Sequence, residues 1–371
     1  MKELTINNMP CRQAGQSGLY LPVVGVGAGS WGRPETGDGS RVDQKTALAV
    51  LERALELGAT HWDTARGYGG PESNSERVIG EFLKQAGRGA REKVIVATKM
   101  WCPEGPNRTR LRSAVNAALE RLQTDYIDLF YLHNPMTDRV YGGFITPPEE
   151  TWGALDDLIT EGKVHYLGIS NCSAPLLRNC CDALREVRKD ASRRIVAVQN
   201  RYNMLQRTEL GQDQRGFEKT TREEAFIADC EYLGVGIVPF FPLGQGALTG
   251  RYRRGTWRDQ AGIVTSGGAP EVWLNEKNIE VIEQLITFAE KKEITLANLA
   301  IAWLLHRPQV VSVIGGVSRP EQLEDNVKAV QVKLRREEMQ DLDLILEGAA
   351  TISEVITLLG DPETARQARR G

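Results

Sequence analysis

The chain has 371 residues, 41% of them apolar and 26% charged, with a formal net charge of −3 and its Lys and Arg spread along the whole length. That balance suits a soluble globular protein and argues against a nucleic-acid or membrane partner, since no uncharged apolar run approaches the roughly 18 residues of a span and Met1 to Met9 lack the apolar core of a secretion signal. Six cysteines without a C-x-x-C pair and four histidines without ligand spacing predict a reduced, cytoplasmic setting and no transition-metal site.

Short β-branched runs alternate with helical patterns from Val23 to Val330. Arg12 to Pro22, with Gly15-Gln16-Ser17-Gly18 at its middle, predicts a hairpin closing the N-terminal end of a barrel. The predicted strands end near Gly27, Trp62, Thr98, Leu132, Ile169, Gln199, Pro239 and Ile314, at successive gaps of 35, 36, 34, 37, 30, 40 and 75 residues. Six gaps near one period suit a repeated βα unit, and eight units make a (βα)8 TIM barrel. Thr46 to Leu57 and Asn107 to Leu122 carry apolar residues at helical spacing, and Gly58 ends the first.

The last gap holds an insertion, with Gly250 to Val272 expected as a long loop after strand seven. Arg336 to Glu347 predicts an added helix, and Ile352, Val355, Ile356 and Leu359 suggest a short amphipathic one in the tail from Gly348. With no linker visible, one domain spanning residues 1–371 is expected, its core about 12–330 and its C-terminal extension 331–371.

Gly27-Ala28-Gly29-Ser30-Trp31-Gly32 spells G-x-G-x-x-G after a strand. A dinucleotide fingerprint requires a helix to open there, whereas Arg33 to Gly39 reads as loop. The stretch is therefore taken as the loop after strand one, with Ser30 and Trp31 at a pocket mouth.

Three strand ends carry ionisable groups: Asp63, with Tyr68 five residues on, then Lys99, then His133. In a parallel barrel those ends share one face. Each residue alone has an ordinary structural use; four in register suggest one pocket. A phenol titrating near 10 is a reluctant acid, and a neighbouring ammonium, itself held by a carboxylate, is expected to lower that value. Such a set suits protonation of a carbonyl oxygen as hydride reaches the carbon, with His133 holding the oxygen or relaying a proton.

These segments resemble the aldo-keto reductase superfamily from Arg12 to about Val330. Asp63-Thr64-Ala65-Arg66-Gly67-Tyr68-Gly69 is similar to its D-T-A-x-x-Y-G signature, Ser75-Glu76-Arg77-Val78-Ile79-Gly80 to its S-E-x-x-[LIV]-G continuation, and Lys99 and His133 stand in A-T-K and L-H contexts. The resemblance implies a catalytic tetrad of Asp63, Tyr68, Lys99 and His133, with Tyr68 as acid/base. Gly168-Ile169-Ser170-Asn171 and Val198-Gln199-Asn200-Arg201-Tyr202-Asn203 look like the segments whose Ser170, Asn171 and Gln199 would hold a nicotinamide carboxamide.

Phe240-Phe241-Pro242-Leu243-Gly244-Gln245-Gly246 is similar to Y-S-P-L-G-x-G. That makes Phe240 the stacking ring, with Phe241 in place of a usual serine. Pro242, Leu243, Gly246, Leu248 and Arg251 would then lie along the pyrophosphate. Gly315 to Asn326 resembles the adenosine-phosphate segment, in which Gly316 would flank the site, Ser318, Arg319 and Gln322 would meet a 2′-phosphate, and Asp325 and Asn326 the adenine. An arginine beside a helix start suits a dianion, so NADP(H) is expected over NAD(H).

Trp31, Trp101, Asn134 and Tyr202, with loop 134–148 and the tail beyond Gly348, are the candidate substrate contacts; Trp62, Trp152 and Trp303 are read as core, and Cys180-Cys181 as structural. The reading is an NADP(H)-dependent oxidoreductase interconverting an aldehyde or ketone, aromatic or sugar-like, and its alcohol. The alternative is an NADPH-binding regulatory subunit similar to the potassium channel β subunits of the same superfamily.

Overall fold

A computed structural model describes residues 4–102, 105–134, 146–207, 223–258, 273–350 and 354. Its sheet of eight parallel strands comprises β4 (Val24–Gly27), β5 (His61–Asp63), β6 (Ile95–Met100), β7 (Ile127–Leu132), β8 (Val164–Ser170), β9 (Ile195–Gln199), β10 (Gly236–Ile237) and β11 (Val313–Gly316). The order is β10-β9-β8-β7-β6-β5-β4-β11. Parallel bridges Ile237–Val310 and Phe240–Ile314 join the two end strands, so the sheet curls into a TIM-barrel-like α/β fold.

Helices α1 (Gln44–Leu57), α2 (Asn74–Ala86), α3 (Arg88–Arg91), α4 (Arg108–Leu122), α5 (Pro148–Thr160), α6 (Ala174–Val187) and α7 (Glu223–Leu233) alternate with the strands. After β10 come α8 (Glu276–Lys291) and α9 (Leu296–Leu305), which account for the long last gap. Beyond β11 follow α10 (Pro320–Lys328) and α11 (Arg336–Leu346), the latter where an added helix is expected. The expected tail helix and loop stretches 135–145 and 259–272 lie outside the described residues.

Local chemistry sets the element ends. The Asp43 carboxylate accepts the Thr46 N–H at 2.8 Å and opens α1. Asn107 does the same for α4 with Arg110, at 2.9 Å. Gly58 closes α1 at φ 74°, where an added Cβ would stand 2.1 Å from the Ile6 carbonyl oxygen; only glycine fits. The strands are buried on both faces, as a sheet covered by helices requires. Trp62, Trp152 and Trp303 are fully buried core residues.

Near the N-terminus, β1 (Thr5–Ile6), β2 (Met9–Gln13) and β3 (Tyr20–Pro22) form an antiparallel sheet. Ala14, Leu19 and Leu21 pack into one apolar cluster with Ala97, Leu129, Tyr131, Ala197, Val238 and Ile314 from the barrel strands. The Gln16 N–H also donates to the Gly234 carbonyl at 3.0 Å. The three-stranded sheet is thus packed onto the barrel by apolar burial and a main-chain bond.

Strand register places the site. Gly316 pairs with Gly27, Gly27 with Asp63, and Asp63 with Ala97. One level further, Lys99 pairs with Tyr131, and Tyr131 with Gly168. All the strands run the same way, so their C-terminal ends gather Asp63, Lys99, Leu132, Ser170, Gln199 and Gly316 on one face.

Candidate active site

Lys99 is the centre of the constellation. Its side chain is wholly buried, as is nearly all of Asp63. The ammonium donates to Asp63 Oδ1 at 2.5 Å and to the Thr64 carbonyl at 2.9 Å. The second Asp63 oxygen accepts from Gln199 Nε2 at 2.7 Å, so both carboxylate oxygens are engaged. A buried ion pair of this kind persists only when its remaining lone pairs are satisfied, as they are here.

Tyr68 reaches the same place from the loop after β5. Its N–H donates to the Ala65 carbonyl at 3.2 Å, its own carbonyl accepts from Ser75 N at 3.1 Å, and Gly69 takes φ 71°. An added Cβ at Gly69 would lie 2.7 Å from the Trp31 carbonyl oxygen, so glycine is required for the turn. Ser75 Oγ contacts Thr64 Oγ1 and donates to the Ala28 carbonyl, both at 2.8 Å, which pins α2 beneath the loop. Lys99 Nζ lies 5.3 Å from the Tyr68 ring centroid. The His133 ring stands edge-on to Tyr68, 5.9 Å away at 85°. The four groups therefore do meet in one place.

The electrostatics depart from expectation in one respect. Burial, with the Asp63 charge adding to it, raises the Tyr68 phenol above its ordinary value instead of lowering it. The ammonium does not counter this because it is committed to Asp63 and Thr64, and burial lowers its own pKa. Tyr68 is accordingly held as a neutral proton donor. His133 is pushed down to about 3 by burial and by the Lys99 charge, so its imidazole is neutral, with Nδ1 buried and without a hydrogen-bond partner among the described residues.

Around this centre, Ser170 Oγ donates to the Gln199 carbonyl at 2.8 Å. Asn171 Nδ2 donates to the His133 carbonyl at 3.0 Å and to Ser170 Oγ at 3.2 Å. Asn171 stands at φ 54°, an uncommon conformation for a non-glycine residue that its side-chain bonds help to hold. Phe240 and Phe241 lie edge to face at 5.1 Å, with Arg201 within 6.0 Å of both rings. Phe241 stands alone at φ 53°, its carbonyl anchored by Asn203 Nδ2 at 2.9 Å, and beyond Pro242 and Leu243 three consecutive residues, Gly244, Gln245 and Gly246, take positive φ. Successive residues of this kind make a concave main chain. Pro242 and Leu248 have buried side chains, Leu243 is half-buried, and Arg251 is exposed.

At the end of β11, Gly316 is exposed with open space where a Cβ would go. Gln322 Oε1 accepts from Ser318 N at 2.8 Å and from its Oγ at 2.9 Å. Arg319 caps α10 from an extended conformation, with a side chain 63% exposed and only a 3.9 Å contact to Glu321. Asp325 is near Lys328, at 3.3 Å, and Asn326 is buried.

Two expected substrate contacts are corrected. Trp31 is not at a pocket mouth: it is fully buried and its Nε1 donates to the Val317 carbonyl at 2.7 Å. Tyr202 is also fully buried, its ring 5.5 Å from Trp303 and its hydroxyl bonded to Glu223, with Arg307 at 3.4 Å. Trp101, 45% exposed, and the half-buried Asn134 follow β6 and β7 respectively. The expected G-x-G-x-x-G fingerprint context is absent, as read: β4 leads into a short 3-10 turn at Pro34–Thr36, and α1 begins only at Gln44.

Three residues of the site escape the sequence reading of roles. Tyr131 is buried beside Lys99, 5.9 Å from Nζ to its centroid; a Cβ at Gly168 would lie 2.4 Å from its ring, so that glycine makes its space. His61, two residues before Asp63, is buried, bonds Ser312 Oγ through Nδ1 at 2.9 Å, and is pushed down to about 4 by burial. Glu76 is buried behind the strand, taking Thr98 Oγ1 at 2.7 Å and Arg121 at 2.6 Å. Among the described residues, no group of three or more His, Cys, Asp or Glu is placed to hold a metal ion.

Comparisons with known proteins identify the family. A model of the Aldo/keto reductase family matches residues 23–347, running past Val330 to take in α11. The L-glyceraldehyde 3-phosphate reductase of Escherichia coli (strain K12) is 32% identical over 334 residues, covering 87% of this chain and 88% of its own. A probable voltage-gated potassium channel subunit beta of Arabidopsis thaliana is 29% identical over 337 residues, 87% of this chain and 92% of its own. The crystal structure of a thermostable aldo-keto reductase, in complex with the inhibitor epalrestat, superposes with a TM-score of 0.65 at 27% identity, over 91% of this chain and all of that one.

Proposed function

The chain belongs to the aldo/keto reductase family, and from that premise we propose that it is an NADP(H)-dependent oxidoreductase interconverting an aldehyde or ketone and its alcohol. The observation that carries this reading is the sealed Lys99–Asp63 pair facing the Tyr68 ring, with Gln199 on the other carboxylate oxygen. In reduction Tyr68 gives its proton to the carbonyl oxygen; burial keeps that proton in place until an acceptor arrives. Asp63 and Lys99 fix the polar floor of the site, and neutral His133 orients the substrate oxygen.

Bound NADP(H) supplies or receives the hydride. Ser170, Asn171 and Gln199 would hold its carboxamide, and Phe240 would stack on its ring. The main chain at Gly244–Gly246, with the flanking Phe241, Pro242, Leu243 and Leu248 and with Arg251, suits the pyrophosphate. Ser318, Arg319 and Gln322 would take the 2′-phosphate, with Asp325 and Asn326 at the adenine. Two observations support the fit: Gly246 and Gly316 leave open space above the main chain, and the Arg319 guanidinium is exposed and only loosely engaged. Trp101 and Asn134 would wall the substrate. We further read the chain as one cytoplasmic domain on a closed barrel, with small-molecule substrates; no helix among the described residues is long and apolar enough to cross a membrane.

The test is NADPH consumption with a panel of aldehydes, glyceraldehyde 3-phosphate among them because of the Escherichia coli relative's name. Wild type should turn over at least one of them. Tyr68→Phe should lose at least about a thousandfold, within the range general acid catalysis supplies, while fluorescence titration still shows NADPH binding. Equal, negligible turnover by both proteins would refute the enzymatic reading and leave a cofactor-binding role.

A further inference from the structure

At the N-terminal end of β9, away from Gln199, the chain gathers charges that carbonyl reduction does not use. A cleft of about 120 Å³ lies between the end of α6 and the start of β9, lined by Arg185, Arg188, Arg193 and Arg194 together with Cys181 and Ile195. Four guanidinium groups around one small cleft repel one another unless anions separate them. Two are matched: Arg193 by buried Asp156 at 2.9 Å, and Arg185 by Asp182 at 2.6 Å.

The other two lack an ion pair of this kind, although the Asp190 charge is felt at Arg188. Arg188 donates to the Arg193 carbonyl at 3.1 Å and Arg194 to the Gln16 side-chain oxygen at 2.8 Å, and neither forms an ion pair with a carboxylate among the described residues. Arg194 Nε is in addition buried with no hydrogen-bond partner among the described residues. The nearby Asp190 is turned onto Ser192, accepting from its N and Oγ at 2.7 Å each. Residues at the end of α6 complement the helix dipole, which accounts for Arg185 and Arg188. It does not account for Arg194, which is on no helix and keeps a desolvated donor facing no acceptor.

We propose that this cleft is a binding site for a phosphate-class oxyanion, inorganic phosphate or a small phosphate monoester, held chiefly by Arg188 and Arg194. A tetrahedral oxyanion offers several acceptors to two planar forks at once and separates the guanidinium charges. The volume admits one such group. The half-buried Cys181 is not a nucleophile here, because burial and Asp182 push its thiol up to about 12. The site binds and does no chemistry.

Thermal unfolding of the full chain in inorganic phosphate, against chloride at matched ionic strength, tests this. The cofactor's own phosphate cradle is removed from the reading by running each arm in wild-type and Arg319→Ala backgrounds. Phosphate should raise the midpoint in both, and Arg188→Ala/Arg194→Ala should weaken the apparent affinity at least tenfold. Should the double variant not fold, Arg188→Gln, which gives up one bond to a main-chain carbonyl, should weaken it at least threefold. Glycerol phosphate binding as tightly as phosphate assigns the site to monoesters, and phosphate alone assigns it to the free anion. A response no greater than chloride's, or one undiminished in the variants, overturns the proposal.

Discussion

Replacing Lys99 by Met tests the architecture of the site more sharply than any other single change. The substitution keeps the volume of the side chain and removes its charge, leaving Asp63 sealed inside the barrel with Gln199 Nε2 as its one remaining side-chain donor. Breaking a buried ion pair from one side costs about 3–5 kcal/mol. The Gln199 bond argues for the lower half of that range, about 3–4 kcal/mol. Asp63→Asn on top of Lys99→Met removes the stranded charge, and what remains is the loss of bonds to Asp63 and to the Thr64 carbonyl, about 1–2 kcal/mol. The double variant should therefore be more stable than the single one, by about 2 kcal/mol. With a urea dependence of about 3 kcal/mol per molar for a chain this long, the midpoints should differ by roughly 0.7 M. Turnover should fall by about two to four orders of magnitude in both variants, with NADPH still bound in fluorescence titration. A double variant no more stable than Lys99→Met would show that the pair is not the closed electrostatic unit described above.

Other expectations follow from particular side chains. Arg319→Ala should weaken NADPH about tenfold or more, the scale of a lost charge-assisted bond, and NADH by less than about threefold; similar losses in parallel titrations would place Arg319 away from the 2′-phosphate. His61 has a folded-state pKa of about 4 against about 6.5 unfolded, so the unfolded chain takes up the proton first. Its contribution, about 3 kcal/mol, is complete above pH 6.5 and is lost as pH falls towards 4. Urea midpoints should drop across that window in wild type and less steeply in His61→Phe, where Ser312 keeps its bond to the Pro22 carbonyl; identical slopes would exclude the histidine as the cause.

The pattern of strands was open to reading because a parallel sheet covered by helices leaves an unbroken apolar mark at each pass. All eight expected ends fall within two residues of the observed ones. The polar cluster was legible for the same reason, since strand ends in one register share a face. What a linear pattern does not carry is the direction of an aromatic ring. Trp31 and Tyr202 stand beside site segments and turn into the interior, where Val317 and Glu223 take their polar atoms. Tyr131 and His61 were hidden by the opposite effect: in strands buried on both faces, only the register tells which side chains point at Lys99 and Asp63. Glu76 stood inside a quoted motif, but its partner Arg121 is 45 residues further on. The direction of the Tyr68 shift is set first by how deeply the phenol is buried, which residue type does not reveal.

The buried Asp63–Lys99 pair and the residues that flank it, Trp101 and Asn134, are built on different parts of the chain. Asp63 and Lys99 belong to strands, and their hydrogen bonds end on other strand residues or on the main chain. Trp101 and Asn134 stand on connecting segments beyond β6 and β7. Exchanges beyond β6 can therefore change the surroundings of the site while leaving that charged pair in place. Chains descending from this one could thus diverge at the rim and inherit the sealed carboxylate and ammonium unchanged.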